Sequence, residues 1–141
     1  MKRFAVIGLG NFGFYAAKAL FEDGHEVIAI DKDKDRVQDI DPHSTEAVVL
    51  DATDKDALKS LGLENMDAVV VSTGTSITTS ILVCLYLQEI GVKKILAKAL
   101  DEDHEKILKR VGATEIIHPE REMALRVSRS LSRPNVLDFI P

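Results

Sequence analysis

Residues 4–20 read "FAVIGLGNFGFYAAKAL". An apolar run passes through three glycines and resumes with helical spacing. Glycines this close together are costly inside regular structure, so something must require them. Gly8, Gly10 and Gly13 fit G-x-G-x-x-G, and they follow a predicted strand and open a predicted helix, which is the context this motif needs. Gly8 allows a tight turn, Gly10 lets a pyrophosphate approach the backbone, and Gly13 lets the helix lie close on the strand. The free N–H groups and positive end of a helix starting near Asn11 then face the phosphates.

Outward from this stretch, short β-branched runs alternate with helical segments. Strands are predicted at 4–9, 26–31, 46–51, 68–73, 94–99 and 115–119, apolar on both faces as in a parallel sheet covered on both sides. Helices are predicted at 11–23, 33–40, 54–61, 77–91 and 102–111. Their caps are Asp33, Thr53 or Asp54, and Thr75 or Ser76. Gly24, Gly62, Gly91 and Gly112 follow four of them, where a left-handed residue ends a helix. The pattern predicts an α/β fold: a Rossmann-like, doubly wound, six-stranded parallel sheet of order 3-2-1-4-5-6. A further helix, 120–131, carries Met123, Ala124, Val127 and Leu131 on one stripe before Pro134 breaks it. The apolar residues Val136, Leu137, Phe139 and Ile140 follow. This segment either packs back on its own sheet or seeks a partner.

The second strand ends in Asp31, eighteen residues after Gly13. An acidic residue here accepts hydrogen bonds from the ribose hydroxyls of an adenosine and repels a 2′-phosphate, favouring NAD or an adenine nucleotide over NADP. Helix capping is the other use for Asp31, though Asp33 could serve it. Lys32 either leans over the adenine or stays solvated. The third strand ends in Asp51-Ala52-Thr53, where Asp51 or a backbone group could read the adenine amine. The fourth ends in "STGT" (72–75), small enough to pass close to a ligand; turn chemistry is the alternative for both. Lys98 is either a solvated edge residue or a phosphate contact. His25 reads as part of a turn, His43 and His104 as surface, and His118 as strand-end structure.

Composition sets limits. The chain has 141 residues, 45% hydrophobic and 29% charged, which suits one domain. A net charge of −5 without a Lys/Arg cluster argues against nucleic acid as partner. The longest apolar stretch, 81–87, is too short to span a bilayer, and the first residues lack a signal-peptide pattern, so a cytoplasmic location is expected. Cys84 is alone and sits among apolar neighbours, as a core thiol does. A dehydrogenase needs a second region holding substrate and a proton donor. No such region, nucleophile elbow, P-loop lysine or metal cluster is visible, so the glycine loop is expected to hold a nucleotide and not to turn it over.

The sequence is similar, nearly end to end, to the N-terminal lobe of RCK domains (also KTN or TrkA-N), the cytoplasmic gating subunits of Trk/Ktr potassium uptake systems. The segments that carry the resemblance are "GHEVIAID", "DATDKDAL", "LGLENMDAVVVSTG", "AKALDEDHEKILKRVGATEIIHPEREMA" and "LSRPNVLDFI". The late "GATEIIHPE" is the most telling, since ordinary Rossmann dehydrogenases have no such segment. The resemblance implies binding of NAD(H), ATP or ADP by Gly8, Gly10, Phe12, Gly13, Asp31, Lys32, Asp51, Ala52, Thr53, Thr73, Gly74 and Lys98, with Asn11 beside the phosphates. It implies that Glu120 helps hold a cation, divalent or sodium, near the phosphates at a dimer interface. It divides the chain into a nucleotide-binding lobe, 1–119, and a crossover helix and hinge, 120–141, that grips a second subunit. The family's usual C-terminal lobe is expected to be absent.

One departure stands out: many Ktr-type members carry Arg after the second glycine, where this chain has Asn11. A neutral amide offers no charge-assisted contact to a terminal phosphate, so little preference for ATP over ADP is expected. The implied role is a nucleotide-sensing, non-catalytic subunit, forming a homodimer and a ring of dimers under a membrane potassium transporter. The competing reading is an NAD-dependent oxidoreductase fragment working with another chain.

Overall fold

A computed structural model describes residues 1–74 and 76–133. Six parallel strands alternate with helices: β1 Arg3–Ile7, α1 Asn11–Glu22, β2 Glu26–Asp31, α2 Lys34–Ile40, β3 Glu46–Val49, α3 Lys55–Lys59, β4 Ala68–Val71, α4 Ile77–Ile90, β5 Ile95–Lys98, α5 Glu102–Arg110, β6 Glu115–Ile117 and α6 Pro119–Ser132. The sheet order is β3-β2-β1-β4-β5-β6, as expected. Among the described residues no helix is long and apolar enough to cross a membrane. The expectations for Thr75 and for residues 134–140 lie outside the described residues.

Strand parity divides the core. Val6, Val27, Ala29 and Val70 face one side and pack with Ala17 of α1 and Val37 and Ile40 of α2. Ala5, Ile7, Ile28, Ile30, Val69 and Val71 face the other, under Leu58 of α3, Val83, Cys84 and Leu87 of α4, and Leu108 of α5. Each large aliphatic side chain buried this way stabilises the fold by roughly 1.5–3 kcal/mol. Cys84 is a core residue, and burial pushes its thiol up to about 12, which makes it inert.

Local chemistry sets the helix starts. Asp33, Asp54, Ser76 and Asp101 each accept a backbone N–H in the first turn of α2, α3, α4 and α5. Four of the six strands stop two residues short of the expected ends, at Ile7, Val49, Val71 and Ile117, and β5 stops one short. The first residue beyond still donates its N–H to a neighbouring strand at Gly8, Leu50, Ser72 and Ala99, and past it the chain turns away to build a crevice.

Candidate nucleotide-binding site

The connections leave β1 toward β2 on one side and enter β4 on the other, so a crevice opens at the carboxyl ends of β1 and β4. Its three glycines are not equivalent. Gly8 adopts φ +96°, and a Cβ there would lie 1.9 Å from the Ser72 carbonyl oxygen. At Gly13 a Cβ would lie 1.8 Å from the Gly8 carbonyl oxygen. The protein itself therefore requires both. Gly10 has an ordinary φ of −70° at the N-cap of α1. A Cβ on it would meet one atom within 4 Å, Nη1 of Arg36 at 3.9 Å. The space in front of Gly10 is open, bounded by a guanidinium and by the start of a helix.

Asp31 ends β2 and is 8% exposed. One carboxylate oxygen accepts the Leu9 N–H at 2.7 Å and the other accepts the Asp33 N–H at 2.8 Å. Asp31 thus pins the glycine loop to the end of β2 and orients the chain into α2. Asp33, not Asp31, caps α2. Each Asp31 oxygen keeps a second lone pair for an outside donor. Arg36 stands 3.8 Å from Asp31 and 4.0 Å from Asp33.

Gly8, Asp31, Lys32, Asp51, Ala52, Thr53 and Thr73 line one crevice, with Ile7, Arg36, Leu50, Ser72, Ser76 and Thr79. Its volume, about 210 Å³, is smaller than the roughly 300–1,000 Å³ of whole-ligand pockets, which suits a nucleoside with phosphates running out along the rim. Asp51 holds both the N–H and the hydroxyl of Thr53, at 3.0 and 2.7 Å. Those hydrogen bonds hold its carboxyl below the usual range. Thr73 Oγ1 is buried with no hydrogen-bond partner among the described residues, an uncommon state for a native polar atom that invites an outside partner.

The other expected residues lie apart. Gly10 and Asn11 border a neighbouring depression with Leu9, Phe14, Tyr15, Arg36 and Asp39. Asn11 and Phe12 also face a groove formed with Tyr15, Ala16, Pro119, Glu120 and Met123, between α1 and α6. Gly74 is exposed at φ +72° with open space around it. Lys98 is not a solvated edge residue: it is 15% exposed and pairs with Glu120 of α6 at 2.9 Å. That contact holds the Glu120 carboxyl below its usual range. Among the described residues no group of three His, Cys, Asp or Glu side chains could hold a metal ion, so none of them completes a metal site with Glu120.

Two histidines expected at the surface, His104 and His43, are not there, whereas His118 is strand-end structure as expected. His104 was expected at the surface but is 2% exposed. Its Nδ1 accepts the Leu100 N–H at 3.0 Å, which leaves the proton on Nε2, donated to Ser80 Oγ at 2.6 Å. The Ser80 hydroxyl passes on to the Ile77 carbonyl at 2.9 Å. Burial pushes His104 below its ordinary pKa. His43 is half-buried, its ring edge-on to Phe14. His118 is buried at the end of β6 and hydrogen-bonds Glu105. Reading the sequence missed Arg36, Ser76 and Thr79 as crevice residues. Ser72 opens the singled-out "STGT" and Ser76 follows it, but nothing distinguished Arg36 from other charged residues on a helix.

The residues present fit an adenine nucleotide: a ribose acceptor at Asp31, a backbone approach at Gly10, a helix start, a cation and an unpartnered hydroxyl.

The TrkA-N domain profile matches residues 4–119. Ktr system potassium uptake protein C of Bacillus subtilis is 48% identical over 139 residues, covering 99% of this chain. The chain spans 63% of the length of that relative. The NAD(P)-binding domain of an exopolyphosphatase-related protein from Archaeoglobus fulgidus superposes with a TM-score of 0.82 at 20% identity, over 94% of this chain and 99% of its own. GsuK bound to ADP superposes with a TM-score of 0.73 at 23% identity, over 95% of this chain and 35% of its own. With the profile spanning the whole sheet and its glycine loop, the chain belongs to the TrkA-N domain family.

Proposed function

We propose that this chain is the nucleotide-sensing part of a potassium uptake system and binds NAD(H), ADP or ATP without turning it over. The observation that carries the reading is the open space at Gly10. The fold does not need a glycine there, whereas a pyrophosphate lying on the start of α1 does. The ribose falls to Asp31 and the adenine to the Asp51–Thr53 edge. Similarity to a potassium uptake protein supports the physiological role, in which the chain works at the inner face of the membrane through a transporter partner.

Sensing needs a partner for α6. No residue of α6 is buried, and Met123, Leu125, Val127 and Leu131 are 52, 50, 38 and 79% exposed. Tyr15, 66% exposed, continues this surface onto α1. A second subunit would cover it, giving a homodimer and then a ring of dimers, with residues 1–119 as the nucleotide lobe and 120–141 as the grip. Any cation near Glu120 would take its other ligands from the nucleotide phosphates or the second subunit. The Lys98–Glu120 pair ties the carboxyl edge of the sheet to α6, so a ligand that competes for Lys98 would bias the angle of α6.

Calorimetry with NAD, NADH, ADP and ATP, with identification of the nucleotide that copurifies, tests the proposal. Micromolar binding with no consumption of NADH is the expected result. Absence of binding by all four at millimolar concentration would refute it, and turnover of NADH with a small substrate would favour an enzyme.

A further inference from the structure

Resting on the nucleotide reading above, we infer that Arg36 is the cationic ligand of the nucleotide's phosphates, a part that the glycine motif does not supply. The space left by Gly10 is where phosphates would lie, and the atom bounding it is Arg36 Nη1, 3.9 Å from the position a Cβ would take. Arg36 also stands at the boundary between the crevice that holds Asp31 and the depression that holds Gly10 and Asn11. Ribose and phosphates of one nucleotide would occupy these two neighbouring spaces.

The arginine is placed but not committed. Its contacts to Asp31 and Asp33, at 3.8 and 4.0 Å, are ion pairs too long to be hydrogen bonds. The guanidinium makes no hydrogen bond among the described residues, and the side chain is half exposed. Its five N–H donors are therefore free to turn to phosphate oxygens, for which the planar fork is well matched. The two aspartates keep the arginine over the site by charge while leaving its donors to the ligand. Arg36 lies on the first turn of α2, which Asp33 fixes by capping, so its stem starts from a defined place.

The neutral Asn11 at the start of α1 makes this cation consequential. The partial charges of backbone N–H groups at a helix start lose less binding to added salt than the full charge of an exposed arginine does. The experiment is ADP binding by calorimetry at low and high KCl, for wild type, Arg36→Gln and Arg36→Lys, with folding checked by circular dichroism. The inference expects Arg36→Gln to bind ADP about tenfold or more weakly and with a smaller salt dependence than the wild type. It expects Arg36→Lys to recover part of the affinity and the salt dependence. Equal affinity and equal salt dependence in wild type and Arg36→Gln would overturn the inference and leave the nucleotide reading standing. Failure of the wild type to bind ADP, NAD or ATP would overturn both. An affinity loss in Arg36→Gln with the wild-type salt dependence retained would also overturn it, since a non-electrostatic contact would then be responsible.

Discussion

At the scale of single residues, three glycines in one motif have two different reasons to exist. Gly8→Ala and Gly13→Ala each press a methyl group into backbone, at 1.9 and 1.8 Å, so the strand, loop and helix must separate. Each is expected to destabilise the fold by about 3 kcal/mol or more, on the scale of overpacking with backbone displacement. Gly10→Ala meets nothing closer than 3.9 Å, and should leave urea unfolding unchanged within about 1 kcal/mol. Its methyl group nevertheless fills the phosphate approach, and ADP affinity should fall by about tenfold or more, read by calorimetry. A Gly10→Ala variant that unfolds as Gly8→Ala does, or binds ADP as the wild type does, contradicts this division. Asp31 combines both reasons. Asp31→Ala leaves the N–H groups of Leu9 and Asp33 without their acceptor. It should therefore lower stability by about 1–3 kcal/mol as well as weaken ADP binding. Full stability in denaturant together with lost binding would reduce Asp31 to a ligand contact only.

At the scale of elements, the alternation of strands and helices was legible because both faces of a parallel sheet are apolar and because caps and glycines mark where helices begin and end. Strand ends were legible for β2, which stops at Asp31 as expected, but not for the others. Leu9 is buried as the strands are, yet its backbone N–H turns to the Asp31 carboxylate and not to a backbone carbonyl of a neighbouring strand. Nor was the joint between α4 and α5. His104 of α5 finds Ser80 of α4, twenty-four residues away in sequence, and no local pattern announces a hydrogen bond of that span. Arg36 was invisible for a related reason: a charged residue on a short helix looks like any solvated one until the fold sets it against Gly10.

The buried joint also makes a pH prediction. Burial, with a smaller contribution from nearby His118, lowers the folded pKa of His104 from 6.5. The unfolded chain then takes up a proton that the native state refuses. Stability is full above about pH 6.5 and falls as pH drops from there toward the lowered folded pKa, with a slope of at most about 1.4 kcal/mol per pH unit from this group. Urea unfolding between pH 5 and 7.5, for wild type and His104→Gln, isolates the contribution. Parallel pH profiles for the two proteins would show that His104 does not carry it.

At the scale of the whole molecule, the sheet with its five covering helices encloses the core, while α6 buries none of its own side chains in this chain. A chain truncated after Pro119 should therefore remain folded, with ADP still raising its melting temperature. Binding at a hundredfold excess over Kd contributes about 2.7 kcal/mol, equivalent to several degrees for a domain of this size. Self-association should be lost in the same variant, as measured by sedimentation velocity across a concentration series. An oligomer that survives the truncation would place the contact elsewhere.

The two kinds of glycine also bear on how this sequence can drift. Substitutions at Gly8 and Gly13 are filtered by whether the chain folds at all, so selection acts on them in every descendant, whatever it senses. Under the proposed reading, Gly10 is filtered only by the ligand. A lineage that abandoned the nucleotide while keeping the scaffold would accumulate side chains at the position of Gly10 first. The pairing of an altered second glycine with intact first and third ones would then mark, from sequence alone, relatives that still fold but no longer sense.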